Sequence, residues 1–398
     1  LATIQPFRPF RYSAKAGDPA NLLTQPYDKI SPEMQTRYLA ASPYNLVRVI
    51  LNEHRDYKKA AQYLDDWIRE GILAQDAAPA LYAYFQEFEV PDSGERLNRK
   101  GFIGLGKLEE YSAGVVYRHE QTLSGPKQDR LELLRHTRAH FGQLFMLYQD
   151  PKAAVDTLLE EAARAVPALH VLDEYGARHR LWPIADRVRI ASIQELMAPK
   201  KLLIADGHHR YETALAYRNE NPGVPAAEYV MMTFVNMHSP GLKILATHRV
   251  LRNIEGFDAE QFLRKVSSTW AVKPYEDGDR PAPASVRVGV VTAQGRYLLE
   301  RPRKEGELDV PVLHGELLAG GLGISEEAVR DERHIKYVRG IDAAAAEVRE
   351  RGAQVAFLLE PTPIEEMARI AFAGGVMPQK STDFYPKLLS GVTIQRVA

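Results

Sequence analysis

Residues 202–218 read LLIADGHHRYETALAYR, and the order of residue types in this stretch decides the fold. Leu202, Leu203, Ile204 and Ala205 form an apolar run of the length of a buried strand. Asp206-Gly207-His208-His209-Arg210 interrupts it with polar and glycine residues, and helical spacing resumes from Tyr211. The expectation is a strand that ends at Asp206, a tight turn, and a helix that opens within two residues of Arg210. The first N–H groups of such a helix lack intrahelical acceptors, and its dipole favours an anion above them. Gly207 permits the turn and a close backbone approach. Arg210 adds a planar fork of donors suited to phosphate. Asp206 is placed to bind a metal, to act as a base or to orient a histidine. The plain alternative is a strand–turn–helix with polar surface residues.

Working outward, Ser31-Pro32-Glu33 reads as a helix start, with Ser as N-cap and Pro at the first helical position. Residues 21–30 read as extended chain and 44–51 as a buried strand. A helix is expected over 57–70, a β-hairpin over 80–90 and 100–109, and a helix from about Pro126. A core strand follows at 229–237. Beyond 284 come a hairpin, then alternating helices and strands. This mixture predicts an α+β fold rather than a regular βαβ series. The Pro- and charge-rich segment 274–284 reads as a linker, which divides the chain into regions 1–273 and 285–398, the second a mixed α/β region.

The composition removes whole classes of function. The 398 residues include no cysteine, which excludes disulfides, Cys-ligated metals, iron–sulfur clusters and thiol catalysis. Lys+Arg 51 against Asp+Glu 52 is balanced, so no nucleic-acid partner is expected. Apolar runs fall short of the roughly 20 residues that span a membrane. The N-terminal stretch has no apolar signal region, and the cytoplasm is the expected address.

Three further groups carry candidate chemistry. Arg118, His119, Glu120, Lys127, Asp129 and Arg130 crowd one loop-to-helix segment. Lys127 and Arg130 suit phosphates and Glu120 and Asp129 suit Mg²⁺; a solvated loop with local ion pairs is the alternative. Lys380-Ser381-Thr382 looks like the end of a P-loop, but Gln379 stands where a glycine belongs, so that reading is rejected. Lys380, Ser381 and Lys387 remain candidates for phosphate contact. His208, His209, His238 and His248 raise a metal-dependent hydrolase as a competing idea, without any His-x-His or His-Glu-x-x-His spacing.

The Gly207-His208-His209-Arg210 turn resembles the phosphate-binding box of the ParB/sulfiredoxin-like superfamily. Gln25-Pro26-Tyr27-Asp28-Lys29-Ile30-Ser31-Pro32-Glu33, Ser42-Pro43-Tyr44-Asn45, the polar 119–130 segment, Asp206 to Arg210, and Met377 to Thr382 with Phe384, Pro386 and Lys387 occur in that order. Together they resemble a bacterial and archaeal family known as domain of unknown function 1015, which is grouped with that superfamily. The resemblance implies a ParB/sulfiredoxin-like core with an additional C-terminal region, and nucleotide phosphates held at Gly207 and Arg210. Some superfamily members phosphorylate free serine, others are CTP-dependent switches, and others reduce sulfinic acids. The last reaction needs a cysteine in this box, where the chain has His208. The resemblance therefore implies a phosphotransferase that uses ATP or ADP, with CTP as a further option, and Mg²⁺ to phosphorylate a small hydroxylated metabolite such as L-serine. Asp28 stands where the serine kinases place a catalytic glutamate, with Glu33 and Glu53 as competitors and Asp206 as the other candidate base. Capping of the turn before the Ser31 helix is the alternative role for Asp28. His208 or His209 would steady the transferring group or carry a proton. A nucleotide switch without chemistry of its own is the alternative.

Overall fold

The computed structural model describes all residues except 1, 53, 92, 121–123, 276–281, 283 and 398, with only the backbone described for 124–126. Two compact units emerge, Leu1–Lys243 with Pro386–Ala398, and Ile244–Tyr385. The chain therefore returns to its first unit for its last residues.

The first unit is built on a nine-stranded mixed sheet. Its strands are β1 (Ile4–Gln5), β2 (Leu81–Glu89), β3 (Arg96–Lys107), β4 (Val116–Tyr117), β5 (Leu144–Tyr148), β6 (Leu169–Leu172), β7 (Arg178–Ile184), β8 (Leu202–Asp206) and β9 (Tyr229–Asn236). They lie in the order β4-β8-β5-β9-β3-β2-β7-β6, with β1 on β3. The expected hairpin is β2–β3, in register from Tyr82↔Ile103 to Glu89↔Arg96. β8 is parallel to β4 and antiparallel to β5, and its register shifts between Ile204 and Asp206. Leu144, Met146, Leu202, Ile204, Met232 and Phe234 meet in one buried core with Tyr211, Ala214 and Leu215.

The helices include α1 (Pro32–Ala41), α2 (Val47–Ile50), α3 (Tyr57–Arg69), α4 (Ser124–Thr137), α5 (Ala154–Ala162), α6 (Arg187–Met197) and α7 (His208–Glu220). Ser31 caps α1 as expected, accepting from the N–H of Met34. One expectation fails. The 44–51 segment forms the short helix α2, because a short apolar run suits a buried helix as well as a buried strand. The Asn45 side chain accepts from the N–H of Val47 and turns the chain, while Val47, Val49 and Ile50 are buried. Residues 21–30, expected as an extended loop or strand, form a loop that tightens into a 3₁₀ turn at Tyr27–Lys29; a second such turn, Pro19–Asn21, precedes it and is capped by Asp18.

The C-terminal residues are woven into this unit. Ile394 exchanges backbone hydrogen bonds with Phe10 and Ser390 with Thr24, and the N–H of Gly391 donates to Phe141. Gln395 and Arg396 pair with His140 and Ala139.

The second unit carries a six-stranded sheet. Its strands are β10 (Thr247–Leu251), β11 (Ala271–Pro274), β12 (Ser285–Thr292), β13 (Gly295–Pro302), β14 (Ile335–Arg339) and β15 (Val355–Leu358), in the order β11-β13-β12-β15-β10-β14. Segment 274–284 therefore connects two strands of one sheet, within this unit. Val286, Val288 and Val290 join Leu313, Leu317 and Phe357 in its main core. Among the described residues of the whole chain, no helix is long and apolar enough to cross a membrane.

Candidate functional site

β8 delivers Asp206 to the edge of the core, and α7 opens two residues later with Gly207 as its N-cap. Gly207 has φ +97°, a left-handed conformation. A Cβ there would stand 3.0 Å from Leu144 Cδ2 and 3.1 Å from Arg210 Nη2, so glycine is required twice over. Among the described residues no side chain caps the start of α7, the end of a helix that favours an anion.

Arg210 is half-buried and fixed, its Nη1 donating to the Gln143 carbonyl at 2.5 Å. Its Nη2 lies 4.0 Å from Asp206 Oδ2, and Lys387 Nζ lies 3.5 Å from the same oxygen. Asp206 Oδ1 accepts from the N–H of Gly207 at 2.9 Å. Burial works against the Asp206 charge, but Lys387, Arg210, Lys29 and His208 outweigh it and hold the carboxyl well below the usual carboxylate range. The turn is thus a cluster of cations around one ionised carboxylate.

Beside it lies a cleft. Arg210, Arg130, Tyr27, His140, Thr213 and Ser390 line it with an apolar wall that includes Leu133, Phe141 and Val230. The Arg130 guanidinium lies 4.2 Å from the centre of the Tyr27 ring, and its Nη1 donates to the Ile50 carbonyl. The close approach of Gly142 shapes the rim, since a Cβ there would meet Ser390 Oγ at 3.1 Å and Arg210 Nη1 at 3.2 Å.

His208 is buried, its Nε2 has no hydrogen-bond partner among the described residues, and its ring packs edge-on against His119 at 4.7 Å. Burial first, and then His119, push His208 well below the ordinary histidine value. His119 is pushed down to about 4 by burial, with Nδ1 against the Ile204 carbonyl at 2.8 Å. Both rings are therefore neutral at pH 7.

The structure thus brings Asp206, Gly207, His208, His209 and Arg210 into one turn, and Arg130 lines the same cleft as Arg210. Lys127 reaches α7 through Glu212, at 3.9 Å, where Arg118 also pairs at 3.4 Å. Asp28 is exposed on the Tyr27–Lys29 turn. Tyr27 of that turn lines the cleft, and Lys29 acts on the charge of Asp206. The competitor Glu53 lies outside the described residues. Asp129 accepts from Tyr57 Oη at 2.7 Å and from Arg130 Nε at 2.8 Å, so its carboxylate already has partners. Among the described residues no group of three or more His, Asp or Glu side chains is placed to hold a metal ion. His248 accepts the N–H of Leu359. Lys380 and Ser381 belong to the second unit, where Ser381 Oγ donates to the Pro378 carbonyl and the Lys380 carbonyl accepts from Arg249.

Sequence reasoning missed Tyr27, Gly142, Gln143, Ser390 and the support beneath Lys387. Arg99, fully buried, donates from Nη2 to the Pro386 carbonyl at 2.5 Å and from Nε to Gln86 Oε1 at 3.0 Å. Gln86 Nε2 in turn donates to the Lys387 carbonyl at 2.9 Å. A charged residue inside the apolar-aromatic hairpin was the available signal for Arg99.

Comparison with solved structures finds a conserved hypothetical protein from Pyrococcus furiosus, 12% identical, with 69% of this chain and 91% of that one covered and a TM-score of 0.38. A free serine kinase in complex with AMP is 12% identical, with 68% and 83% covered and a TM-score of 0.38. SbnI with a C-terminal truncation, from Staphylococcus aureus, is 11% identical, with 72% and 85% covered and a TM-score of 0.37. No curated protein matches the sequence. The profile of the family described as "Protein of unknown function (DUF1015)" matches residues 4–318, well over half of the chain, and the protein belongs to that family.

Proposed function

We propose that the protein is a cytoplasmic phosphotransferase that uses ATP or ADP, or CTP, to phosphorylate a small hydroxylated metabolite, with free L-serine the first acceptor to test. The observation that carries this reading is the pre-formed turn at Asp206–Arg210, where among the described residues no side chain caps the start of α7, Arg210 and Lys387 lie within 4.0 and 3.5 Å of Asp206, and Arg210 lines the adjoining cleft with Arg130. Such a site needs little ordering when phosphate binds, so its charge-assisted hydrogen bonds count nearly in full. Arg130 and Tyr27, which line the same cleft, face the rest of a nucleotide. Mg²⁺ enters with the nucleotide phosphates, since the Asp129 carboxylate already has partners.

Asp206, held ionised among cations, orients Lys387 and Arg210 around the phosphates. Asp28 is assigned as the base: its carboxylate takes the proton of the acceptor hydroxyl, that oxygen attacks the terminal phosphorus, and the phosphorus–oxygen bond to the departing nucleotide breaks. His208, as a neutral imidazole, and His209 steady the transferred group.

The test is product analysis by mass spectrometry after incubation with ATP, ADP or CTP, Mg²⁺ and a panel of amino and hydroxy acids. Asp28→Asn is expected to bind nucleotide normally and to lose roughly two or more powers of ten in product formation. Nucleotide binding without any phosphorylated product would replace the kinase reading with a nucleotide-binding switch. Absence of nucleotide binding would overturn both.

A further inference from the structure

A row of polar side chains crosses the sheet of the first unit outside the cleft. Arg99 on β3 stands opposite Gln86 on β2, and Gln86 stands opposite His179 on β7, so the three share one face. Each is at most 1% exposed, where a sheet ordinarily places apolar residues. His179 is the hub of the row. Its Nε2 lies 3.1 Å from Asp173 Oδ2, and its Nδ1 lies 2.7 Å from Tyr84 Oη. The Asp173 side chain is itself only 2% exposed. A carboxylate only accepts, so Nε2 carries the proton and the Tyr84 hydroxyl donates to Nδ1.

From this hub the bonds run to two segments far apart in sequence. On one side Gln25 Nε2 donates to Asp173 Oδ2 at 3.4 Å and to Glu174 Oε2 at 3.2 Å. Tyr38 Oη accepts the Gln25 N–H and donates to Glu174. The loop then continues into Tyr27, which lines the cleft, and into Asp28 and Lys29. On the other side Gln86 Nε2 lies 3.3 Å from His179 Nδ1 and donates to the Lys387 carbonyl at 2.9 Å. Lys29 and Lys387 both act on the charge of Asp206. The two segments therefore converge on one carboxylate and are tethered to one imidazole. Well-packed apolar residues often stabilise a core as well as such a network does, whereas a fully bonded network fixes geometry. We infer that His179 is a positioning residue of the phosphate site, holding the loop of Tyr27, Asp28 and Lys29 in register with the segment that carries Lys387. Its catalytic consequence rests on the phosphotransferase reading; the coupling of the two segments does not.

The experiment compares the full-length wild type with His179→Phe, His179→Gln and Gln25→Met, well below their melting temperatures. Amide hydrogen exchange needs no nucleotide. His179→Phe should speed exchange in residues 22–30 and 386–391 together while β9 stays unchanged, and Gln25→Met should speed it in the first segment only. Calorimetry with ADP and turnover of ATP with L-serine read the site. His179→Phe should weaken ADP roughly tenfold, the scale of one charge-assisted hydrogen bond from Lys387. Its turnover at saturating ATP should fall by roughly tenfold or more, the cost of misplaced groups. Gln25→Met should lower turnover with little change in ADP affinity. His179→Gln, whose amide can donate to Asp173 and accept from Tyr84, should recover part of each loss. A histidine that only stabilises the fold would lower the melting temperature and leave ADP affinity and turnover unchanged. That result, or unchanged exchange in either segment of His179→Phe, would overturn the proposal. If His179→Phe does not fold, wild-type exchange in His179→Gln and wild-type turnover in Gln25→Met would overturn it instead. A wild type that neither binds ADP nor forms product removes the phosphotransferase reading, and amide exchange then still decides whether His179 couples the two segments.

Discussion

Lys387 Nζ lies 3.5 Å from Oδ2 of Asp206, so the end of the chain completes the turn that β8 begins. Arg99 and Gln86 hold the backbone at Pro386 and Lys387 from below. Burial pulls the Arg99 guanidinium down to about 9, yet leaves it charged at neutral pH. Lys387→Met should therefore weaken ATP or ADP binding by roughly tenfold. Arg99→Leu should unfold the protein more readily, by about 2–4 kcal/mol, because it leaves the Gln86 and Pro386 acceptors buried without a donor. Calorimetry measures the first and urea unfolding the second.

Arg210→Ala should reduce nucleotide affinity by one to two powers of ten, since a charge-assisted hydrogen bond contributes about 1.5–3 kcal/mol. It should also cost about 1–3 kcal/mol of stability, because the Gln143 carbonyl loses its donor. Arg210→Lys should recover part of the affinity, as an ammonium cannot form the planar fork. Unchanged affinity in a folded Arg210→Ala protein would remove the phosphate cradle.

Gly207→Ala tests the turn itself. The left-handed φ of +97° costs a non-glycine residue about 1–2 kcal/mol. The added Cβ would press on Leu144 and on Arg210, which must shift. Urea unfolding should show a loss of about 2 kcal/mol, and nucleotide binding should fall together with it.

Buried neutral histidines set the acid response. Burial pushes both His119 and His140 down to about 4, below the ordinary value near 6.5. A depressed histidine pKa means that the unfolded chain takes up the proton first as pH falls. Stability should hold above about pH 6.5 and decline from there toward pH 4, on the order of 1 kcal/mol per pH unit for each histidine. Asp206 acts lower: its depressed pKa contributes stability that is complete above about pH 4 and is lost as pH falls further. Unfolding curves between pH 8 and 4 for the wild type and His140→Phe check the first window, where the variant should show the shallower slope. Unfolding curves of the wild type and Asp206→Asn carried below pH 4 check the second.

The Asp206–Arg210 turn was legible because it depends on neighbours in sequence. An apolar run, a glycine that alone tolerates the left-handed turn, and resumed helical spacing lie within residues 202–218, and β8 and α7 follow them. The Ser31 cap and the β2–β3 hairpin were legible for the same reason. Segment 44–51 was not, because a short apolar run carries no period long enough to separate helix from strand, and the Asn45 cap decided it. The remaining walls of the cleft depend on contacts between distant residues. Tyr27, Gly142, Ser390 and the Arg99 support under Lys387 meet Arg210 and Asp206 only because the last residues pair with Phe10, Thr24, Phe141 and His140. Local sequence determined the conformation of the Asp206–Arg210 turn through backbone sterics and hydrophobic period. Only the tertiary structure decided which cations surround Asp206, because a charge's partners are set by distance in space, and the sheet and the returning chain end fix that distance.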